Sequence, residues 1–144
     1  MGIEIAANLP AAAVVASSND ASAKQWQHWL SSNTFRVYTS KDVVGVQVGG
    51  VFKNVYAIAA GCMDALGLGD NAKSAFITRA LVELQRISAW FGGEPSTVLG
   101  LSGLGDLITT CNSTQSRNYQ FGSKLATENT AMIDEYTSHA TVEG

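Results

Sequence analysis

The first forty residues alternate between short apolar runs and polar breaks. Residues 11–17 are apolar and follow a proline, which is typical of a buried strand. Asn19 or Asp20 can cap a helix that continues to about Leu30. Residues 35–39 then alternate apolar and polar side chains, as a half-buried strand does. This pattern predicts a β-α-β unit.

From residue 40 onward the apolar positions recur at helical spacing. Asp42 can begin a long helix that continues to about Ala65, and the glycine-containing segment 67–71 ends it in a loop. A second helix is predicted from about Asn71 to Phe91. Its apolar residues recur at the spacing that lines one helix face, namely Phe76, Ala80, Leu84 and Ile87.

The remaining segments predict shorter helices. Pro95 can start a short helix toward Leu99, and residues 100–106 are expected to form a flexible entry to another helix near 107–111. The tail from residue 117 to residue 143 is predicted to be helical in two pieces. The predicted fold class is therefore mainly α, with a short β-α-β unit followed by five or six helices.

Composition is that of a soluble globular protein. The 144 residues are 46% hydrophobic and 15% charged, which suffices for one domain with a real core. The net charge is −3 and the nine Lys and Arg residues are scattered, so no nucleic-acid partner is expected. Residues 1–5 lack the basic start and apolar core of a signal peptide, which favours a cytoplasmic location.

Several special sites are not expected. The longest apolar run is broken by Gln47, Lys53 and Asn54, which makes it a poor transmembrane span, so no membrane partner is predicted. The two cysteines form no CxxC pair and the two histidines lie outside any HExxH pattern. Neither a disulfide framework nor a metal site is therefore predicted.

The glycine-rich segment 100–105 does not match a nucleotide-binding motif. Its order is GxxGxG, whereas the dinucleotide-binding fingerprint is GxGxxG after a strand. A Walker A sequence is absent, and Ser102 is not flanked in the GxSxG manner of a nucleophile elbow. We therefore expect no nucleotide fingerprint in this chain and no hydrolytic chemistry.

Lys53 is the one basic residue between Lys41 and Lys73, and it lies in the apolar run 43–61. Removal of an amine from water disfavours its charged form, so such a lysine can serve as a general base. The alternative is that its stem lies along an apolar surface while its amine stays in water. At helical spacing its neighbours are small, and they leave room for a ligand or another helix: Gly49, Gly50, Ala57 and Ala60.

Polar residues farther along offer candidate chemistry. Asp106 follows a glycine loop, Thr110 lies one helical turn later, and 116–118 reads Ser-Arg-Asn. Taken singly, these are a helix cap and a solvated turn. As a group they could act on a substrate, because arginine and asparagine can bind a phosphate and a carboxylate can orient an amine or hydroxyl.

Six segments in order carry a more specific likeness: 4–10, 35–45, 49–55, 67–73, 103–107 and 116–118. Together they resemble NAD(P)-dependent glycerol-3-phosphate dehydrogenase of the bacterial type. The likeness runs from about Glu4 to Gly122, and residues 142–144 also look like a family segment. It implies an oxidoreductase that interconverts glycerol 3-phosphate and dihydroxyacetone phosphate with NAD or NADP.

The same resemblance implies roles for particular residues. Lys53 would be the proton acceptor for the C2 hydroxyl, and Asn54, Asp106 and Thr110 would hold the substrate and the lysine. The glycerol phosphate end would be bound by Ser116, Arg117 and Asn118. Two residues would contact the cofactor, Arg117 and Glu143.

The resemblance also implies a domain organisation. Residues 1–40 would be the remnant of a Rossmann-type dinucleotide-binding domain, without its main binding loop. Residues 41–144 would be a C-terminally truncated helical domain that binds substrate and carries the catalytic lysine, like the C-terminal domain of 6-phosphogluconate dehydrogenase-type enzymes. We therefore expect a fragment or truncated relative that associates as a homodimer or higher homo-oligomer.

Two alternatives stay open. The chain could be a catalytically inactive, stand-alone helical module for binding or assembly that is derived from that family. It could also be another two-domain dehydrogenase with an all-helical second domain, but the Ser-Arg-Asn triplet at its distance from Lys53 favours a phosphate-bearing substrate.

Overall fold

A computed structural model describes residues 2–127 as a small parallel sheet and a set of packed helices. The elements in chain order are α1 (Gly2–Ala6), β1 (Ala11–Ala16), α2 (Asp20–Leu30), β2 (Phe35–Ser40), α3 (Val43–Ala65), α4 (Gly69–Trp90), a 3₁₀ turn (Thr97–Leu99), a π-helical turn (Leu101–Gly105), α5 (Asp106–Asn112) and α6 (Arg117–Thr127). The prediction of a mainly α fold with a β-α-β opening is confirmed.

The β-α-β unit forms as the sequence pattern predicts. β1 and β2 pair in parallel, with Ala11 opposite Phe35 and Ala16 opposite Ser40, and α2 is the crossover. Asn19 caps α2 by accepting a hydrogen bond from the Ser22 amide at 3.1 Å. α1 was not predicted, because a five-residue helix is too short to show a periodic pattern.

α3 is the central helix of the fold. It begins after Asp42, whose carboxylate accepts hydrogen bonds at 2.8 Å from the amides of Gly45 and Glu94. By length and composition it is the one helix among residues 2–127 that could cross a membrane. In the fold it packs against α4, α5 and α6 instead. The buried core lies between these helices and includes Val48, Ala60, Leu84, Val98, Leu107 and Cys111.

The predicted apolar face of α4 is confirmed. Ala80 and Leu84 are buried, and Phe76 and Ile87 pack against the same cluster. The helix starts earlier than expected, at Gly69, so the connection from α3 is short. Gly67 and Gly69 both have positive φ, at 67° and 80°, which lets the chain reverse within a few residues.

The prediction of a flexible segment at 100–106 was wrong. Leu101–Gly105 is a π-helical turn packed directly against α3. A methyl group on Gly49 would overlap the backbone carbonyl of Ser102, and one on Gly103 would overlap that of Val98. These glycines therefore allow two backbone segments to pack closely. From composition alone, a glycine-rich segment is expected to be flexible.

α6 packs against α3 in the same way and in the antiparallel direction. Gly61 faces the backbone of Tyr119, and Gly122 faces the backbone of Ile58. The predicted second helical piece of the tail, together with Glu143, lies outside the described residues.

Candidate active site

The site is built around an ion pair between α3 and α5. The Lys53 Nζ lies 2.5 Å from the Asp106 Oδ2, and each side chain is about one quarter exposed (24%). Asp106 is the first residue of α5, and the Thr110 hydroxyl donates to its backbone carbonyl at 2.6 Å. The same hydroxyl lies 3.4 Å from Asp106 Oδ1. Three predicted site residues are thus brought together from two elements.

The structure shows whether Lys53, which lies in an apolar run, is buried or exposed to water. The lysine is partly buried and meets a carboxylate, so neither an isolated buried amine nor a purely water-facing one describes it. Of its small neighbours, Gly49 makes room for the π-helical turn, whereas the Cβ position of Gly50 faces open space. Of the two predicted occupants, a chain segment is present at Gly49, and a ligand stays a prediction.

An open cleft of about 420 Å³ lies beside this ion pair. Its walls come from β1 (residues 11–14), α3 (Gly50), the π-helical turn (Ser102) and α5 (Asp106), and Glu4 lies at its rim. This volume lies within the range of small-molecule sites. Its two ionisable lining residues are both carboxylates, so the cleft itself suits an uncharged part of a ligand better than a phosphate.

The Ser-Arg-Asn triplet lies at the start of α6, away from this cluster. Arg117 is exposed, Asn118 is buried, and the Ser116 hydroxyl accepts from the Tyr119 amide at 3.3 Å. Because α6 runs antiparallel to α3, its first turn lies near Asp64, eleven residues beyond Lys53. Eleven residues span roughly 16 Å of helix axis.

Asn54, the residue after Lys53, is buried within α3 and is 9% exposed. Because successive helix residues point about 100° apart, it and the lysine do not face the same neighbours. Its predicted contact with a substrate stays a prediction, as do the substrate-binding roles of the triplet.

A second polar cluster was not predicted. The Lys73 Nζ lies 2.5 Å from the Asp64 Oδ2, and the Tyr119 hydroxyl donates to that oxygen at 2.6 Å. The lysine also lies over the Tyr119 ring, 5.3 Å from its centroid. Burial alone would raise the pKa of Asp64, but the two hydrogen bonds outweigh burial and hold that pKa below its ordinary value. The hydrogen bond to Asp64 in turn raises the pKa of Tyr119 to about 12.

The described residues contain no phosphate cradle of the dinucleotide-binding kind. β1 is followed by a Ser-Ser-Asn turn instead of a glycine loop. The stretch 67–72 has GxGxxA spacing, but it joins two helices and does not follow a strand. Among residues 2–127 no three His, Cys, Asp or Glu side chains are grouped as a metal site requires.

Comparison with known proteins identifies the family. The family model described as NAD-dependent glycerol-3-phosphate dehydrogenase C-terminus matches residues 42–144. The chain belongs to the NAD-dependent glycerol-3-phosphate dehydrogenase family. NAD or NADP is therefore the cofactor of the family, as the names of the relatives also state.

Relatives in this dehydrogenase family cover most of the chain. Glycerol-3-phosphate dehydrogenase [NAD(P)+] of Gloeobacter violaceus is 59% identical over 122 residues, which are 85% of this chain and 40% of the relative. The protein of that name from Synechococcus elongatus is 49% identical over 141 residues, 98% of this chain and 46% of the relative. The chain thus spans less than half the length of these curated relatives.

Solved structures of the family share the fold. The glycerol-3-phosphate dehydrogenase of Coxiella burnetii superposes with a TM-score of 0.92 at 42% identity, over 100% of this chain and 44% of that one. The yeast enzyme GPD1 superposes with a TM-score of 0.84 at 25% identity, over 99% of this chain and 44% of that one. The predicted family is confirmed.

Proposed function

We propose that this chain supplies the substrate-binding and proton-transferring part of a glycerol-3-phosphate dehydrogenase. The observation that supports the proposal most is the Lys53–Asp106 pair beside an open cleft, in a chain of this family. The substrates would be glycerol 3-phosphate and dihydroxyacetone phosphate. The nicotinamide cofactor supplies hydride chemistry when it is bound.

Lys53 would transfer the proton. In the oxidative direction its amine accepts the proton of the C2 hydroxyl, and in the reductive direction its ammonium returns that proton to the ketone oxygen. Asp106 would fix the position of the Nζ through their hydrogen bond, and Thr110 would hold the start of α5. A fixed donor position matters because orientation is a large part of enzymatic rate enhancement.

The cofactor fits only in part. Arg117 is exposed and could meet a pyrophosphate, while the other predicted contact, Glu143, lies outside the described residues. Since residues 2–127 hold no glycine loop after a strand, we assign no pyrophosphate cradle to them and derive no step through the cofactor.

A fusion enzyme tests the catalytic role. The N-terminal part of the Gloeobacter violaceus relative would precede this chain, and reduction of dihydroxyacetone phosphate would be followed by nicotinamide absorbance. We expect Lys53→Met to lower kcat by about 10²–10⁴, as loss of a general acid–base does. The matched control is Lys24→Met, which breaks an exposed ion pair with Asp20 and leaves the rate unchanged. Equal rates for both variants would refute the assignment of Lys53.

A titration separates this proposal from an inactive assembly module. We expect the chain to bind glycerol 3-phosphate in calorimetry and to bind glycerol far more weakly. The absence of heat with glycerol 3-phosphate, together with a stable oligomer independent of concentration, would favour the assembly module.

We also propose a cytoplasmic location and a homodimer or higher homo-oligomer. The self-association is supported by exposed aromatic side chains on α2 and at the end of α4, where Trp26, Trp29 and Trp90 are more than half exposed. Sedimentation velocity over a range of concentrations tests it, and a monomer at every concentration would contradict it.

A further inference from the structure

Ser102 contributes a hydroxyl group to the wall of the cleft. Of the residues that the structure describes, those lining the cleft with a polar side chain are Glu4, Ser102, Asp106 and Thr109. Both carboxylates have partners, and the Thr109 hydroxyl donates to the Gly105 carbonyl at 2.9 Å. Within residues 2–127 the Ser102 hydroxyl forms no hydrogen bond, and the residue is only partly buried. That hydroxyl is therefore available to a ligand.

Ser102 and the carboxylate of the candidate catalytic pair lie on one helix face. In the segment 101–109 the residues that line the cleft are 101, 102, 105, 106 and 109. Recurrence every three to four residues marks one face of a helix, and neighbours on that face have Cβ atoms about 5–6 Å apart. The π-helical turn and α5 therefore present a continuous face to the cleft, with Ser102 about one turn before Asp106.

Lys53 reaches this face from α3. The main chain of Ser102 packs onto α3 at Gly49, where a methyl group would overlap the Ser102 carbonyl. Lys53 lies four residues, about one turn, beyond Gly49. Helical side chains lean toward the N-terminus of their helix, so the stem of Lys53 leans back toward the turn that carries Ser102. The amine and the hydroxyl are thus held about one helical turn apart, beside the same cleft.

This spacing suits oxygen atoms on adjacent carbons of one ligand. Two hydrogen bonds of about 3 Å each, made to neighbouring oxygens, span groups that lie one helical turn apart. Glycerol 3-phosphate and dihydroxyacetone phosphate both carry such oxygens on C1 and C2. Because the lining carboxylates repel a phosphate, the C1 end would enter the cleft and the phosphate would stay outside it. With the C2 oxygen at Lys53, the C1 hydroxyl would lie next to Ser102.

We infer that Ser102 is a specificity-determining residue, whose hydroxyl forms a hydrogen bond with the C1 hydroxyl of the substrate. The inference rests on the proposed function, in which Lys53 contacts the oxygen on C2. A serine hydroxyl can donate or accept, so it serves the substrate in both directions of the reaction. It favours compounds with an oxygen on C1 over those with a methyl group at that position.

The test compares two ketone substrates in the fusion enzyme. Hydroxyacetone phosphate has a methyl group where dihydroxyacetone phosphate has a hydroxymethyl group, so the two differ only in the C1 hydroxyl. We expect Ser102→Ala to lower kcat/KM for dihydroxyacetone phosphate by about 3- to 10-fold, as loss of one uncharged hydrogen bond does. The kcat/KM for hydroxyacetone phosphate should change by less than about twofold, because that substrate has no hydroxyl for Ser102 to bind. The second substrate thus also reports whether the variant folds.

The matched control is Thr109→Val. It removes another hydroxyl from the cleft wall, but one that is bonded to the Gly105 carbonyl. We expect it to leave the preference for dihydroxyacetone phosphate over hydroxyacetone phosphate unchanged. A loss of preference as large as that in Ser102→Ala would assign the preference to the shape of the cleft and overturn the inference.

The remaining outcomes separate this inference from the proposed function. Equal losses with both substrates in Ser102→Ala would show a general effect on the fold or on the cofactor, and would overturn the role of Ser102. If the wild-type fusion enzyme is inactive, or Lys53→Met leaves its rate unchanged, the proposed function fails and the inference fails with it. A fusion enzyme that needs Lys53 but keeps its wild-type preference in Ser102→Ala overturns the inference alone.

Discussion

Two lysine–aspartate pairs with the same N–O distance of 2.5 Å occur along α3. In Lys53–Asp106 each side chain is about one quarter exposed, and an open cleft lies beside the pair. In Lys73–Asp64 the lysine side chain is 10% exposed and the aspartate side chain 32%, and the ring of Tyr119 lies beside the lysine amine. The two pairs differ in the space next to the charges, and we assign proton transfer only to the pair with room for a substrate.

The most decisive test of this difference between the two pairs is to replace each aspartate by asparagine. In the fusion enzyme we expect Asp106→Asn to lower kcat by about 10²-fold, because the amine of Lys53 loses the group that holds it at the cleft. Asp64→Asn should instead change kcat by less than about threefold, because Asp64 lies about three helical turns from Lys53 and does not line the cleft. Steady-state kinetics of the two variants measures both. A larger loss of kcat in Asp64→Asn would reverse our assignment of the two pairs.

The next-largest effect is expected from replacing the glycines that lie near each lysine–aspartate pair. Gly49→Ala, near Lys53, and Gly61→Ala, near Asp64, each place a methyl group onto a facing carbonyl. We expect each to lower the free energy of unfolding by about 1–3 kcal/mol in urea titrations. The matched control is Gly50→Ala, whose methyl group meets nothing within 4 Å and should stabilise the helix by about 0.5–1 kcal/mol. Destabilisation by all three variants would show that helix flexibility, and not close packing, explains the glycines.

Alkaline pH should weaken the cluster of Asp64, Lys73 and Tyr119. Because Asp64 binds the protonated Tyr119 hydroxyl, the pKa of Tyr119 is raised to about 12 from an unfolded value near 10. Its stabilising contribution is therefore complete below about pH 10 and is lost as the pH rises toward 12. Urea unfolding from pH 8 to pH 11.5 should show the difference between wild type and Tyr119→Phe shrinking above pH 10. A difference that stays constant over that range would contradict the prediction.

Local signals predicted the fold well. Asn19 and Asp42 were predicted to begin helices and both accept the expected capping bonds. The π-helical turn could not be predicted, because its conformation depends on Gly49, more than 50 residues away in sequence. A glycine-rich segment gives the same local signal whether it is loose or tightly packed.

The candidate site was also predicted only in part. Lys53, Asp106 and Thr110 were singled out from residue type and resemblance, but their contact joins positions 53 residues apart and appears only in the structure. Lys73 lies in the segment 67–73 that carries the resemblance, but neither it nor Tyr119 was predicted to form a site, since a lysine on a predicted helix is ordinarily solvated. That lysine is buried because its partners, Asp64 and Tyr119, come from two other helices.

β1 has a consequence for how this cleft can change over evolutionary time. Four consecutive residues of the strand line the cleft, and strand side chains alternate between faces, so the cleft meets the strand along its edge. That wall is therefore largely main chain, bordered by alanine methyl groups. Single substitutions there alter its contour while its amides and carbonyls persist, except where proline is introduced. Selectivity would then diverge mainly through the opposite wall, at Gly50 and Ser102.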